Sequence, residues 1–295
     1  MNVRIVITDS GLGGLSVIAE LENRLAENPI FKNSELIFFN SLFSPNYGYN
    51  SINNFTDKVG IFNNALNSIE ENYSPDLILI ACNTLSVIFP HTEFAQKSNI
   101  KVKGILESGI ALFKKKIQTS GQKIILFGTP TTINSDIYRH ELIRHGIKKS
   151  QIVNQSCPDL ESEIQRNPTS DKTHASIFHF VKEALNSFDS PPQKIYAGFC
   201  CTHYGYSEKI FLDELSKQFN GEIEILNPNS RMLDFLFAAP KKLCHDSNVT
   251  VRVVSQVKSK VNEITALSEI LMNASPKTAN AIRNYEYSKN LFSKE

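Results

Sequence analysis

The chain has 295 residues, 41% of them hydrophobic and 21% charged, with a formal net charge of +1. This is ordinary globular composition with room for two lobes or one large domain, and its charge balance offers no electrostatic reason for nucleic acid or a membrane surface as a partner. No run approaches the roughly 20 apolar residues that span a bilayer, and an odd set of five scattered cysteines does not make a secreted disulfide framework.

Met1-Asn2-Val3-Arg4-Ile5 leads directly into a strand pattern with no signal-peptide core or cleavage site. A reducing cytoplasm is therefore expected, with thiols available for chemistry and Asn72-Tyr73-Ser74 a chance glycosylation match. Taken in chain order, strands are predicted over 3–8, 36–40, 77–81, 102–106, 123–128, 194–198 and 222–226. Amphipathic helices are predicted over 15–24, 52–71, 108–119, 135–145, 173–188 and 208–219, and a last strand and helix over 249–255 and 257–272. Lys114, Lys115 and Lys116 fall on a solvated helix face. The strands are continuous apolar runs, which parallel strands covered on both faces require. Their alternation with helices predicts an α/β protein of doubly wound, mainly parallel sheets, and no low-complexity linker divides the chain.

Ligands of open parallel sheets bind beyond the carboxyl ends of the strands. Three such ends carry chemistry: Thr8-Asp9-Ser10-Gly11-Leu12-Gly13-Gly14, Ala81-Cys82-Asn83-Thr84 and Cys200-Cys201-Thr202-His203-Tyr204. The glycine turn supports a dinucleotide fingerprint only weakly, because the third glycine or alanine would fall at Ser16. Its Asp9 reads either as a capping carboxylate or as a functional group. A lone buried cysteine is usually an inert small hydrophobe. Here the setting is repeated, since Cys82 and Cys201 each end an apolar strand and are each followed by small hydrogen-bonding residues. Two similar halves, each delivering one thiol, are the expectation. Zinc is disfavoured by the lack of any Cys-x-x-Cys spacing.

Two opposed thiols suit proton exchange at carbon. A thiolate takes a proton from one face while a thiol delivers one to the other, which inverts the centre. A following helix N-terminus favours the thiolate. Asp9 is placed to assist one thiol and His203 the other as relay or orienting partner. Asn83, Thr84 and Thr202 supply donors for an α-carboxylate and for the charge that develops as the α-proton leaves.

The segments Asp9-Ser10-Gly11-Leu12-Gly13-Gly14-Leu15-Ser16-Val17, Ala81-Cys82-Asn83-Thr84 and Cys201-Thr202-His203-Tyr204 resemble those of the glutamate racemases, within the aspartate/glutamate racemase superfamily. Asn46-Tyr47-Gly48 is similar to that family's Pro-Tyr-Gly, and Gly128-Thr129 with Thr132 and Ser135 is a weaker echo. The matches run in family order over about residues 3 to 228. The resemblance implies two similar doubly wound α/β lobes, 1–101 with 208–295 and 102–207, with the active site in the cleft between them. It implies no pyridoxal phosphate and no metal, Cys82 and Cys201 as paired acid and base, and Asp9 and His203 assisting. Asn83, Thr84, Thr129 and Thr202 would hold the α-carboxylate and amino end, and Ser10 with the Tyr47-Gly48 backbone the distal carboxylate. The implied substrate is a small acidic amino acid, the role is supply of D-glutamate for peptidoglycan in cell-wall synthesis, and homodimers are common in the family.

Several positions depart from the family pattern. After Cys157-Pro158 the family has a glutamate that assists the second cysteine; an ungapped reading puts Gln165 there, with Glu161 and Glu163 nearby. Gln cannot exchange a proton, so the relay beside Cys201 rests on His203 unless a neighbouring Glu takes that place. Ser135-Asp136 replaces the usual Ser-Gly, and Ser41 stands where an Asp is usual. The tail beyond Pro228 has no family landmark. These changes leave aspartate, or another acidic α-substituted substrate, as the alternative, with a silent binding homologue as the alternative of another class. Cys200 is expected on the opposite strand face from Cys201, in the core. Cys157 is expected to be structural, Cys244 lies in a polar tail, and His140, His145, His174 and His179 sit on predicted helices as surface or satisfied residues.

Overall fold

The computed structural model describes residues 2–239, 243–244 and 246–294. Among them run the strands β1 (Asn2–Asp9), β2 (Asn33–Asn40), β3 (Leu77–Ile80), β4 (Lys101–Gly104), β5 (Gln122–Gly128), β6 (Ile152–Ser156), β7 (Lys194–Cys200), β8 (Glu222–Leu226), β9 (Asn248–Ser255) and β10 (Glu286–Tyr287). They form two sheets, ordered β10-β9-β2-β1-β3-β4 and β6-β5-β7-β8. Every pairing is parallel, the α/β architecture expected from the continuous apolar runs.

The chain divides into two units, Met1–Ile105 with Met232–Glu295, and Leu106–Arg231. The first change of unit thus comes at Ile105 rather than 101. The second comes at Arg231 rather than 207, because β8 pairs with β7 and the helix Glu208–Gln218 buries Ile210, Phe211 and Leu215 in the second unit's core.

In the first unit β1 lies between β2 and β3, and Ile5, Val6 and Ile7 are wholly buried. Val6 turns toward a core shared with Phe62, Leu66 and Ile69 of the helix Phe55–Tyr73. The alternation of a strand sends Ile5 and Ile7 to the other face. In the second unit Ile125, Phe127, Ile195, Ala197 and Phe199 meet the helices Leu160–Arg166, Asp171–Asn186 and Glu208–Gln218. Ile124, Leu126, Tyr196 and Cys200 meet Phe113, Ile133, Tyr138 and Leu142 on the opposite face. Both faces are covered, which is what double winding demands.

Register puts the strand ends in line. Asp9 pairs with Asn40 and Thr8 with Ile80, while Asn40 pairs with Ser255. In the second sheet Gly128 pairs with both Ser156 and Cys200. The loops that follow therefore leave each sheet along one edge.

The helix predicted over 135–145 is broken. Asp136 has φ 57° between the helices Pro130–Asn134 and Ile137–Arg144. That left-handed conformation suits a glycine and is tolerated by Asp. The helix predicted from 257 begins at Val261, because Ser255 Oγ accepts from Val257 N–H and turns the chain. No described helix is long and apolar enough to cross a membrane.

Candidate active site

The first unit gathers its polar residues at the end of β1 and β3. Ala81 N–H donates to the Thr8 carbonyl, extending the ladder by one residue and setting Cys82 beside the loop that follows β1. Cys82 then caps the short helix Asn83–Ile88, its sulfur accepting from Leu85 N–H. The Ser10 hydroxyl lies 3.1 Å from Cys82 Sγ. Burial, and then the negative charge of Asp9, push the Cys82 thiol up to about 12, against the pull of the Ser10 hydroxyl and the Leu85 and Ser10 N–H groups. Cys82 is thus protonated near neutrality and can act as a base only when a partner takes its proton.

Asp9 lies against Gly14, the residue that precedes the helix Leu15–Glu27. The approach depends on Gly14: a Cβ there would stand 2.9 Å from an Asp9 carboxylate oxygen and 3.0 Å from Ala81 Cβ. Asn83 and Thr84 are buried next to Cys82. Ser41, at the position where the family has Asp, shares a 2.6 Å hydrogen bond with Thr8 and donates its N–H to the Asp9 carbonyl. Tyr47 lies on the outer loop, half exposed, its ring against Phe43, and Gly48 follows it into a single turn. Neither belongs to the buried core that holds Cys82.

The next residue does. Tyr49 is wholly buried in the same core as Cys82, and burial, reinforced by the charge of Cys82, pushes its phenol well up. Sequence reasoning missed it; the only signal was its place directly after Tyr47-Gly48.

In the second unit Cys201 follows β7 and packs with Ala197 and Phe199, while Cys200 faces Tyr196 and Phe113. The strand thus turns the two adjacent thiols to opposite faces, as expected. His203 lies in the turn Thr202–Ser207, its Nδ1 3.8 Å from Cys201 Sγ and its Nε2 3.0 Å from Gln165 Oε1. Burial pushes the imidazole down to about 4, so it is neutral near pH 7. Gln165 therefore fills the place beside His203, whereas Glu163 turns to Ser176 and Lys172. Thr202 is buried, its carbonyl accepting from the Asn229 side chain. Thr129 follows β5 and donates to Thr132 Oγ1. Cys157 is wholly buried with Phe127 and Tyr204, a core thiol that burial pushes well up. The five cysteines are free thiols. Among the described residues no group of three or more His, Cys, Asp or Glu is placed to hold a metal.

Each unit thus presents a strand-end thiol with a polar side chain against it: Ser10 on Cys82, and His203 on Cys201. The family model for Asp/Glu/Hydantoin racemase matches residues 12–189. The glutamate racemase of Aquifex pyrophilus is 25% identical over 239 residues, covering 78% of this chain and 80% of that protein. The crystal structure of glutamate racemase from Campylobacter jejuni subsp. jejuni superposes with a TM-score of 0.66 at 21% identity, covering 92% of this chain and 98% of that one. A Francisella tularensis glutamate racemase in complex with D-glutamate gives a TM-score of 0.65 at 20% identity, over 92% and 94% of the two chains.

Proposed function

The chain belongs to the Asp/Glu/Hydantoin racemase family, a family of isomerases, and from that premise we propose that it interconverts L- and D-glutamate. Proton exchange at Cα is assigned to Cys82 and Cys201. One sulfur, as thiolate, takes the α-proton while the other, as thiol, gives its proton to the opposite face; the C–H bond broken is replaced by the C–H bond formed, and no electrons are lost. The observation that carries this reading is the repeated setting of the two thiols, each beyond a central parallel strand and each with a polar partner.

Asp9 acts as acceptor for the Cys82 proton, which burial and the Asp9 charge hold on the sulfur before transfer. His203 serves Cys201 in the same way. Asn83, Thr84, Thr129 and Thr202 bind the α-carboxylate and amino end, and Ser10 with the Tyr47-Gly48 backbone the distal carboxylate. Donors fixed before the reaction stabilise the charge that appears at the carboxylate as the α-proton leaves. The chemistry needs side chains only. Supply of D-glutamate for peptidoglycan, in the cytoplasm and by a homodimer, completes the proposal; sedimentation tests the dimer.

Incubation of L-glutamate in deuterium oxide should yield D-glutamate carrying deuterium at Cα, and Cys82→Ala or Cys201→Ala should abolish both. Lack of exchange with any acidic amino acid would refute the proposal. Aspartate belongs in the same assay, because Gln165 and Ser41 stand where the glutamate racemases have carboxylates. Preference for aspartate would transfer the mechanism to that substrate.

A further inference from the structure

We infer that Gln165 is a positioning residue that decides which nitrogen of His203 carries the proton, and so makes Nδ1 the acceptor for the Cys201 thiol. The inference rests on the proposed acid/base role of Cys201 and concerns its control.

His203 is buried between two partners, Gln165 Oε1 at 3.0 Å from Nε2 and Cys201 Sγ at 3.8 Å from Nδ1. An amide oxygen has no proton to give, so the hydrogen of the first contact belongs to Nε2. A neutral imidazole carries one N–H only, and the hydrogen bond at one nitrogen fixes the state of the other. Nδ1 therefore turns a lone pair toward Cys201. When the thiol passes its proton there, the S–H bond breaks, an N–H bond forms, and the Nε2–H bond to Gln165 persists through the transfer.

The amide is also neutral. A carboxylate at this position would stabilise the imidazolium by charge; Gln165 offers a dipole alone, and burial already disfavours the protonated ring. Gln165 thus aims the relay while keeping the proton on Cys201 to higher pH than a glutamate would. Tyr204 and Tyr206 lie on the turn of His203, with the Tyr206 ring 6.5 Å from it. Cys157 and Glu161 face the same region and bear on Tyr204, and Glu183 bears on Cys157.

Two measurements on the full chain test this, and neither needs turnover. Two-bond nitrogen–proton correlation of 15N-histidine protein, with His203 assigned by its loss in His203→Asn, should show the Nε2–H tautomer between pH 6 and 8. Site-resolved iodoacetamide labelling read by mass spectrometry should place the alkylation midpoint of Cys201 lower in Gln165→Glu by about one pH unit or more. Gln165→Leu should not lower it. The Cys82 profile, in the other unit, should be the same in all three proteins and serves as the folding reference; if it moves, the wild-type tautomer alone decides. An Nδ1–H tautomer in the wild type overturns the inference. So does a Cys201 midpoint that ignores Gln165→Glu or responds instead to Glu161→Gln. A protein that shows these titrations but racemises no acidic amino acid would refute the proposed function and leave the role of Gln165 standing.

Discussion

At the scale of single residues, the Cys82 thiol is held from ionising. Cys82 is opposed by burial and by Asp9. Asp9→Asn removes one of those causes, so iodoacetamide should label Cys82 at pH 8 faster, by roughly threefold or more. Turnover should move the other way, falling by roughly a hundredfold as an acid/base partner is lost. Parallel labelling and rate assays separate the two effects. His203 yields a stability prediction. Its folded-state value is pushed from 6.5 down to about 4, so the folded chain binds fewer protons than the unfolded one across that window. Stability is complete above pH 6.5 and declines as pH falls toward 4, by roughly 3 kcal/mol at the limit. Urea unfolding of wild type and His203→Asn at pH 4.5 and 7 should show a smaller pH dependence in the variant. Asp136 shows what a residue substitution can conserve. It keeps the left-handed backbone that suits a glycine, and its carboxylate takes up Asn154 at 2.7 Å, Arg139 at 2.8 Å and His140 at 3.2 Å.

At the scale of elements, the long apolar strands and helices are legible because their periodicity is strong. Glu222–Leu226 has the bounds predicted for it, and the strands 3–8 and 123–128 are each within one residue at either end. The elements that escaped reading are short or polar. Asn83–Ile88 and Leu160–Arg166 span about two turns or fewer, too little for a helical repeat to be seen. Ile152–Ser156 is an edge strand whose Asn154, Gln155 and Ser156 hide its pattern. Those elements bear on the site directly: one is capped by Cys82 and another carries Gln165. The junction of β1 and its helix carries a further prediction. Gly14→Ala would set a methyl within 3.0 Å of Asp9 and Ala81. It should cost about 1–3 kcal/mol by overpacking, seen as a lower thermal midpoint, and displace Asp9 enough to reduce turnover.

At the scale of the molecule, the chain leaves the first unit at Ile105 and returns to it at Met232. β9 pairs along the whole of β2, and the Ser255 hydroxyl that closes its end accepts from the Asn40 side chain. Leu291 and Phe292, almost the last residues, are buried in the core that holds Cys82 and Tyr49. Phe292 stacks obliquely on Phe39 at 5.8 Å, its N–H donates to Gln256 Oε1, and the Ser68 hydroxyl donates to the Leu291 carbonyl. Phe292→Ala should therefore destabilise the chain by about 3 kcal/mol, lowering the urea midpoint with an unchanged slope. Nothing in the tail's sequence announces this, since Phe39 and Ser68 lie more than two hundred positions from the Phe292 and Leu291 they meet.

The sequence by itself determined the parallel α/β architecture, since continuous apolar runs alternating with amphipathic helices call for strands covered on both faces by helices. It also determined the chemical candidates, because Cys82, Cys201, Asp9 and His203 are residue types whose positions after strands are local facts. Tertiary structure alone decided their partners. Ser10 meets Cys82, Gln165 rather than Glu163 meets the far nitrogen of His203, and Tyr49 is buried beside Cys82. It also decided where the second unit ends, through the pairing of β8 on β7. The reason is physical. Strand and helix periodicity is written in near neighbours, whereas hydrogen-bond partners, burial and proton affinity depend on groups that only the fold brings together.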